Sequence, residues 1–138
     1  MFTLHPSLQL ESTDIGDFPL SSVRLSNNAN FPWVILVPRR ANITEIYHLS
    51  GNDRQQLVTE SCWVAEALDT IFSPDKLNIA TIGNIVPQLH MHHICRYIVD
   101  PCWPNPVWGQ LKASSYSNEM LMQTQRDIKQ ELADKIKF

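Results

Sequence analysis

The stretch Gln88-Leu89-His90-Met91-His92-His93-Ile94-Cys95-Arg96 holds three of the chain's five histidines within four positions. Read as a β-strand, it alternates its side chains between two faces, so Gln88, His90 and His92 share one face while Leu89, Met91 and His93 share the other. One face is chemical and the other mostly apolar. An imidazole titrates near pH 6.5 in water, so a neutral nucleophile or a proton donor is available close to physiological pH. A cluster of this kind is costly to bury without partners, which makes it a candidate site.

The segments around it supply a frame. Phe31-Pro32-Trp33-Val34-Ile35-Leu36-Val37-Pro38 is rich in β-branched and aromatic residues and stops at a proline, which predicts a central strand over Trp33–Val37 buried on both faces. Pro19–Leu25 reads as a strand entering the same sheet, and Leu77–Ile82 as another that turns through Gly83-Asn84 into the histidine strand. That short connection implies antiparallel pairing and brings Asn78 close to the histidine face. Ser50-Gly51-Asn52-Asp53 resembles a helix N-cap followed by an acidic residue, and the stripe Leu57, Ser61, Val64, Leu68, Ile71 predicts a scaffold helix from about Asp53 to Phe72. A narrower stripe, Leu121, Ile128, Leu132 and Ile136, predicts a C-terminal helix. Residues 1–19 show no dominant period. Pro101–Trp108 packs three prolines and two tryptophans into eight residues and reads as a stiff, ordered loop.

Composition narrows the function classes. A chain of 138 residues that is 43% hydrophobic and 18% charged fits a single domain spanning 1–138 with material for a real core. A formal net charge of -3 argues against general attraction to nucleic acid or anionic membrane. The longest apolar run, Phe31 to Pro38, is far shorter than the roughly 20 residues that span a bilayer. Cys62, Cys95 and Cys102 form no disulfide framework, and the start of the chain lacks a secretory pattern, so a cytoplasmic location is expected.

Two histidines on one strand face can act on phosphorus if one nitrogen attacks and its neighbour stabilises or protonates what leaves. A zinc reading from His90, His92 and Cys95 is weaker, because Cys95 points away from His90 in a regular strand and structural-zinc spacing is absent. His93, among apolar neighbours, reads as a hydrogen-bonded core residue. Trp103 and Trp108 could stack a base, though rigid packing suits at least one of them better; Arg39 and Arg40 could touch phosphate, though two basic residues at a strand end are usually just solvated.

Taken together, NxxxxGNxVPQLHMHHIxR and the upstream FPWVILVPR resemble the histidine-triad (HIT) superfamily of nucleotide hydrolases and transferases, most closely bacterial members that read QLHxHxIxR followed by W-P-x-P-V-W-G, as Trp103–Gly109 does. The resemblance implies an α+β fold with an antiparallel sheet, a long helix and a C-terminal helix, in a homodimer that needs no cofactor or metal. It also implies attack on the α-phosphate of a small-molecule nucleotide, a dinucleoside polyphosphate or nucleoside phosphoramidate, through a nucleotidyl-histidine intermediate. By the same resemblance His90 is the nucleophile, His92 contacts the phosphate or leaving group, Gln88 takes the first histidine's place, Asn27 and Asn28 fall at the ribose-contacting position, Asn78 on the nucleotide side and Asn84 beside the phosphates. Gln88 cannot carry a proton, Ala41 or Asn42 stands where many members have a further histidine, Ile85 replaces a frequent Ser or Thr, and His93 an aliphatic residue. These departures keep open a catalytically weak or inactive nucleotide-binding module as the alternative.

Overall fold

Trp33–Pro38 forms β3, the middle strand of a five-stranded antiparallel sheet ordered β1-β2-β3-β5-β4. The computed structural model describes residues 1–138. Its other strands are β1 (Ser12–Asp17), β2 (Ser21–Ser26), β4 (Lys76–Ala80) and β5 (Met91–Arg96), and its helices are α1 (Pro6–Glu11), α2 (Gly51–Phe72) and α3 (Asn118–Glu131). Every residue of β2, β3 and β5 is buried, which is why β3 reads as a continuous apolar run instead of an alternating one.

The two faces of the sheet have separate cores. Val23, Leu25, Val34, Leu36, Met91 and Cys95 pack beneath α2 and α3 against Leu57, Val64, Leu68 and Ile128. Trp33, Ile35, Val37 and Ile94 point the opposite way, into a smaller cluster with Leu8 and with Cys102 and Val107 of the proline-rich loop. Helix α2 begins where the sequence indicates, with the Ser50 hydroxyl accepting from the Asp53 amide at 3.1 Å. Its Glu60 is fully buried and accepts from the Leu20 and Ser21 amides, which ties the helix to the start of β2. Ser117 caps α3 in the same manner as Ser50 caps α2.

Three departures from the sequence reading are local. The histidine strand starts at Met91, so Gln88, Leu89 and His90 belong to the loop before it. The strand expected over Leu77–Ile82 ends at Ala80. Residues 1–19, which carry no clear period, form α1 and β1; a register shift between Asp14 and Gly16 breaks the alternation of β1. At that shift the chain approaches Lys137 so closely that a Cβ on Gly16 would sit 2.6 Å from the Lys137 carbonyl oxygen. Backbone bonds between Asp17 and Lys137 then close the C-terminal tail onto β1.

The loop after β5 is held from within. Arg96, at the end of the strand and 1% exposed, donates from Nε and Nη2 to both carboxylate oxygens of Asp100, at 2.9 and 3.1 Å. The same carboxylate accepts from the amides of Tyr97, Cys102 and Trp103. These bonds outweigh the desolvation that opposes them and hold Asp100 down at about 2. Phe31 and Trp103 flank the guanidinium. Removing one partner of such a pair leaves a buried charge without compensation, so Asp100→Ala should lower unfolding free energy by about 3–5 kcal/mol in urea titrations at neutral pH. A loss below about 1 kcal/mol would show that the loop is held by its prolines and tryptophans alone.

Candidate active site

The second face of the sheet is covered incompletely. Between α1, the turn after β2, the loop preceding β5 and the segment ending β5's long connection lies a cavity of about 640 Å³, into which His90 and His92 both project. Each residue is 8% exposed, and the ring centroids lie 4.8 Å apart at an interplanar angle of 73°. His90 precedes the strand, yet it keeps the strand's parity and stays beside His92.

Two fixed partners determine where the ring protons sit. His90 Nδ1 lies 2.7 Å from the Gln88 carbonyl oxygen. A carbonyl can only accept, so Nδ1 carries the hydrogen and neutral His90 keeps its lone pair on Nε2. On His92 the pattern is reversed, because Nδ1 lies 2.9 Å from Trp33 Nε1, and an indole N–H can only donate. The His92 Nδ1 therefore offers the lone pair and its Nε2 carries the hydrogen. The structure thus sets a ring nitrogen with a free lone pair and a ring N–H donor side by side.

Burial pushes the His92 imidazole down to about 3, helped by the nearby His90 and His93. Protonating its second nitrogen would also break the bond from Trp33. His92 is accordingly a neutral donor throughout the physiological range. Trp108 packs edge-on to both partners, with ring centroids 5.2 Å from His92 and 5.8 Å from Trp33. The two indoles wall one side of the cavity.

His93 faces the other way. Its Nε2 lies 2.7 Å from the Ser61 hydroxyl on α2, in a fully buried position, and burial lowers its pKa to about 4. This is the hydrogen-bonded core histidine that the apolar neighbours suggest. Cys95 shares that face, with burial raising its thiol to about 12.

The asparagines divide. Asn27, Asn28 and Asn84 line the cavity with the two histidines. Asn27 has both halves of its amide engaged, accepting from the Thr13 hydroxyl and donating to the Leu10 carbonyl. Asn28 accepts through Oδ1 from the Asn30 and Ser114 amides, which leaves its Nδ2 as an available donor on that wall. Asn78 lies elsewhere: it sits opposite Ile94 in β4, and its Oδ1 accepts from Arg96 Nη1 at 2.9 Å. Sharing a face with the histidines does not bring it to the cavity, because Arg96 draws it toward the far end of the strand. Gln88 also turns its side chain away, toward the N-terminal segment. Arg39 and Arg40 pair with Asp17 and Asp53, away from the site.

Several lining residues carry no sequence signal of their own. Leu8, Leu10 and Glu11 arrive from α1, and Ser114 and Ser115 from the segment before α3. Trp33 could have been singled out: it is the one aromatic in an otherwise aliphatic strand, with the parity of Ile35, which pairs with His92. A diagonal reach of one residue pair across the ladder is within the span of an indole.

The sequence pattern of the HIT domain matches residues 7–99. Among solved structures, the chain is similar to a histidine triad protein from Bradyrhizobium japonicum, with 42% identity, a TM-score of 0.93 and coverage of 94% of this chain and 97% of that one. It is equally similar to a histidine triad protein from Marinobacter aquaeolei VT8, with 42% identity, a TM-score of 0.94 and coverage of 97% and 98%. A histidine triad protein from Sinorhizobium meliloti 1021 matches at 40% identity and TM-score 0.93, over 96% of this chain and 98% of that one. No functionally curated protein matches the chain. The chain belongs to the HIT family, and its five-stranded α+β architecture is the fold of that family. No helix is long and apolar enough to cross a membrane.

Two measurements follow from the ring environments. Trp33→Phe keeps much of the packing but removes the only donor to His92 Nδ1, so the His92 pKa should rise above about 3 in a nitrogen-detected NMR titration while burial still holds it below the ordinary imidazole range. An unchanged titration would mean that burial alone holds the ring neutral. Stability should also depend on acid. Both His92 and His93 titrate lower when folded than unfolded, so the unfolded chain binds protons first as pH falls below about 6.5. Stability is then full above that value and declines as pH drops toward about 4 and about 3. By pH 5 urea titrations should record a loss of roughly 1–2 kcal/mol for each ring.

Proposed function

We propose that this protein is a nucleotide phosphohydrolase or nucleotidyl transferase acting at an α-phosphate, with His90 as nucleophile and His92 as hydrogen-bond donor. The observation that carries this reading is the pair of opposed ring tautomers, set by the Gln88 carbonyl and the Trp33 indole. In the first step the His90 Nε2 lone pair forms the bond to phosphorus and the bond to the leaving group breaks with its electron pair going to the leaving group; an amine leaving group takes up a proton from solvent as it departs. The His92 Nε2–H bonds a phosphoryl oxygen or the departing atom while charge develops there. In the second step water attacks phosphorus, the phosphorus–nitrogen bond breaks, and the water's proton goes to solvent as neutral His90 is restored. An acceptor other than water would make the same sequence a transfer.

The lining also bears on substrate. No lysine or arginine lines the cavity, and its single charged residue is Glu11. A polyphosphate bridge would bring several negative charges with no side-chain cation to meet them, at a substantial electrostatic cost. One phosphorus centre bearing a single negative charge suits this wall better, which favours the nucleoside phosphoramidate class over dinucleoside polyphosphates. The apolar residues Leu8, Leu10, Ile82, Ile85 and Val86 offer surface to a base or to an uncharged leaving group. Asn28 Nδ2 supplies a donor toward ribose and Asn84 lies on the loop beside His90.

One feature favours a binding module of low activity. A ring held neutral as far down as about 3 has no acidic proton to give, so the leaving group must depart as a stable anion or collect its proton from solvent. Both readings are tested together. Wild type incubated with a panel of nucleoside phosphoramidates and dinucleoside polyphosphates should turn over, and a sample quenched in alkaline denaturant, where a phosphorus–imidazole bond survives, should carry the mass of one nucleotidyl group on the peptide containing His90. His90→Ala should lower kcat by about 10³-fold or more while nucleoside monophosphates still bind. Calorimetric binding with no turnover across the panel would leave the module, and unchanged turnover in the variant would remove His90 from the nucleophile's role.

A further inference from the structure

We infer that Gln88 is a specificity-positioning residue whose side chain clasps the N-terminal arm, residues 1–11, so that Leu8, Leu10 and Glu11 form one wall of the histidine cavity. The inference deepens the proposed nucleotide reading by assigning a wall of that site to one side chain. It rests on how the primary amide is used. Gln88 Oε1 accepts from the His5 backbone amide at 2.9 Å, and Nε2 donates to the Thr3 carbonyl at 2.8 Å. An extended segment presents the carbonyl of one residue and the amide of the next but one on the same side. A carboxamide matches that pair of groups with its own adjacent acceptor and donor. An imidazole at this position cannot, because its two nitrogens point in divergent directions and a neutral ring offers one donor and one acceptor far from parallel.

The clasp falls where the arm needs it. His5 is the residue before α1, and its Nδ1 accepts from the Ser7 amide, so the atom held by Gln88 lies at the entry of the helix that carries the wall. The other end of the arm is fixed separately. Asn27 holds the Leu10 carbonyl through its side chain and the Glu11 carbonyl through its backbone amide, and the Ser12 hydroxyl bonds the Leu8 carbonyl. At the N-terminal end Gln88 supplies the polar tie, with Phe2 and Leu4 adding apolar contact to the second core. Leu8 is buried in that core, whereas Leu10 is exposed at the cavity rim. A six-residue helix has little stability of its own, so its placement depends on these ties.

The division within the residue separates this role from the chemistry. The Gln88 carbonyl that bonds His90 Nδ1 belongs to the backbone and is kept in any substitution. Changing the side chain loosens the wall and leaves the nucleophile's proton where it is.

Hydrogen exchange and kinetics on the full-length protein test this with Gln88→Ala, Gln88→Glu and Gln88→His. In Gln88→Ala the His5 amide should exchange about tenfold faster or more, as should the peptide covering residues 2–11, while the peptides of β5 stay as protected as in wild type. Gln88→Glu keeps an acceptor for His5 and loses the donor to Thr3, so it should fall between wild type and Gln88→Ala; Gln88→His should resemble Gln88→Ala. With a phosphoramidate substrate KM should rise roughly tenfold and kcat change by less than about threefold. Titration with adenosine monophosphate should show the same weakening. Unchanged exchange at His5 in Gln88→Ala overturns the clasp, and so does a fall in kcat with KM and exchange both preserved. Absence of turnover in wild type counts against the enzymatic reading alone, because exchange and monophosphate affinity still decide whether Gln88 holds the arm.

Discussion

Two hydrogen bonds to partners that cannot reverse their roles govern this molecule: a backbone carbonyl that only accepts and an indole that only donates. Each forces one neutral imidazole into one tautomer, and the two choices are opposite. A pair of histidines on a strand is otherwise chemically ambiguous, since either nitrogen of either ring can bear the hydrogen. Here the ambiguity is removed by groups belonging to the frame. What the sheet, the helices and the loops contribute to the candidate site is chiefly the fixing of those two partners.

The frame does this from both sides of β5. On one face the Ser61 hydroxyl of α2 bonds His93 and ties the strand to the helix. On the other, Arg96 and Asp100 set the course of the chain beyond the strand, and that course carries Trp108 back over Trp33 and His92. The indole–imidazole bond thereby joins two residues that are each 8% exposed, where it counts for more than it would in open water. The buried ion pair serves geometry at the site although it never touches the cavity. Glu60 has a similar role further off, registering α2 to the start of β2 through two backbone amides.

How much of this is legible in the sequence varies with the range of the interaction. β3 and α2 are evident because their signals are local: an uninterrupted apolar run in one case, a cap and a helical stripe in the other. His90 and His92 fall on one side because a period of two survives even though the strand begins after His90. α1 and β1 are hidden, one by its six-residue length and the other by a break in register beside Gly16. Asn78 illustrates the limit of face arguments, since correct parity says nothing of position along the strand, and Arg96 holds it at the far end. Gln88 illustrates a different limit. Its partners lie 83 and 85 residues away, and no spacing rule reaches that far.

Gln88 meets the rest of the molecule through two chemically independent groups. Its peptide oxygen, common to all twenty amino acids, orients the neighbouring ring, while its carboxamide, found in few, anchors a distant segment. A position built in this way can exchange its variable part without disturbing its invariant part. A different side chain there would free the N-terminal segment at the rim of the cavity while His90 Nε2 kept its electron pair.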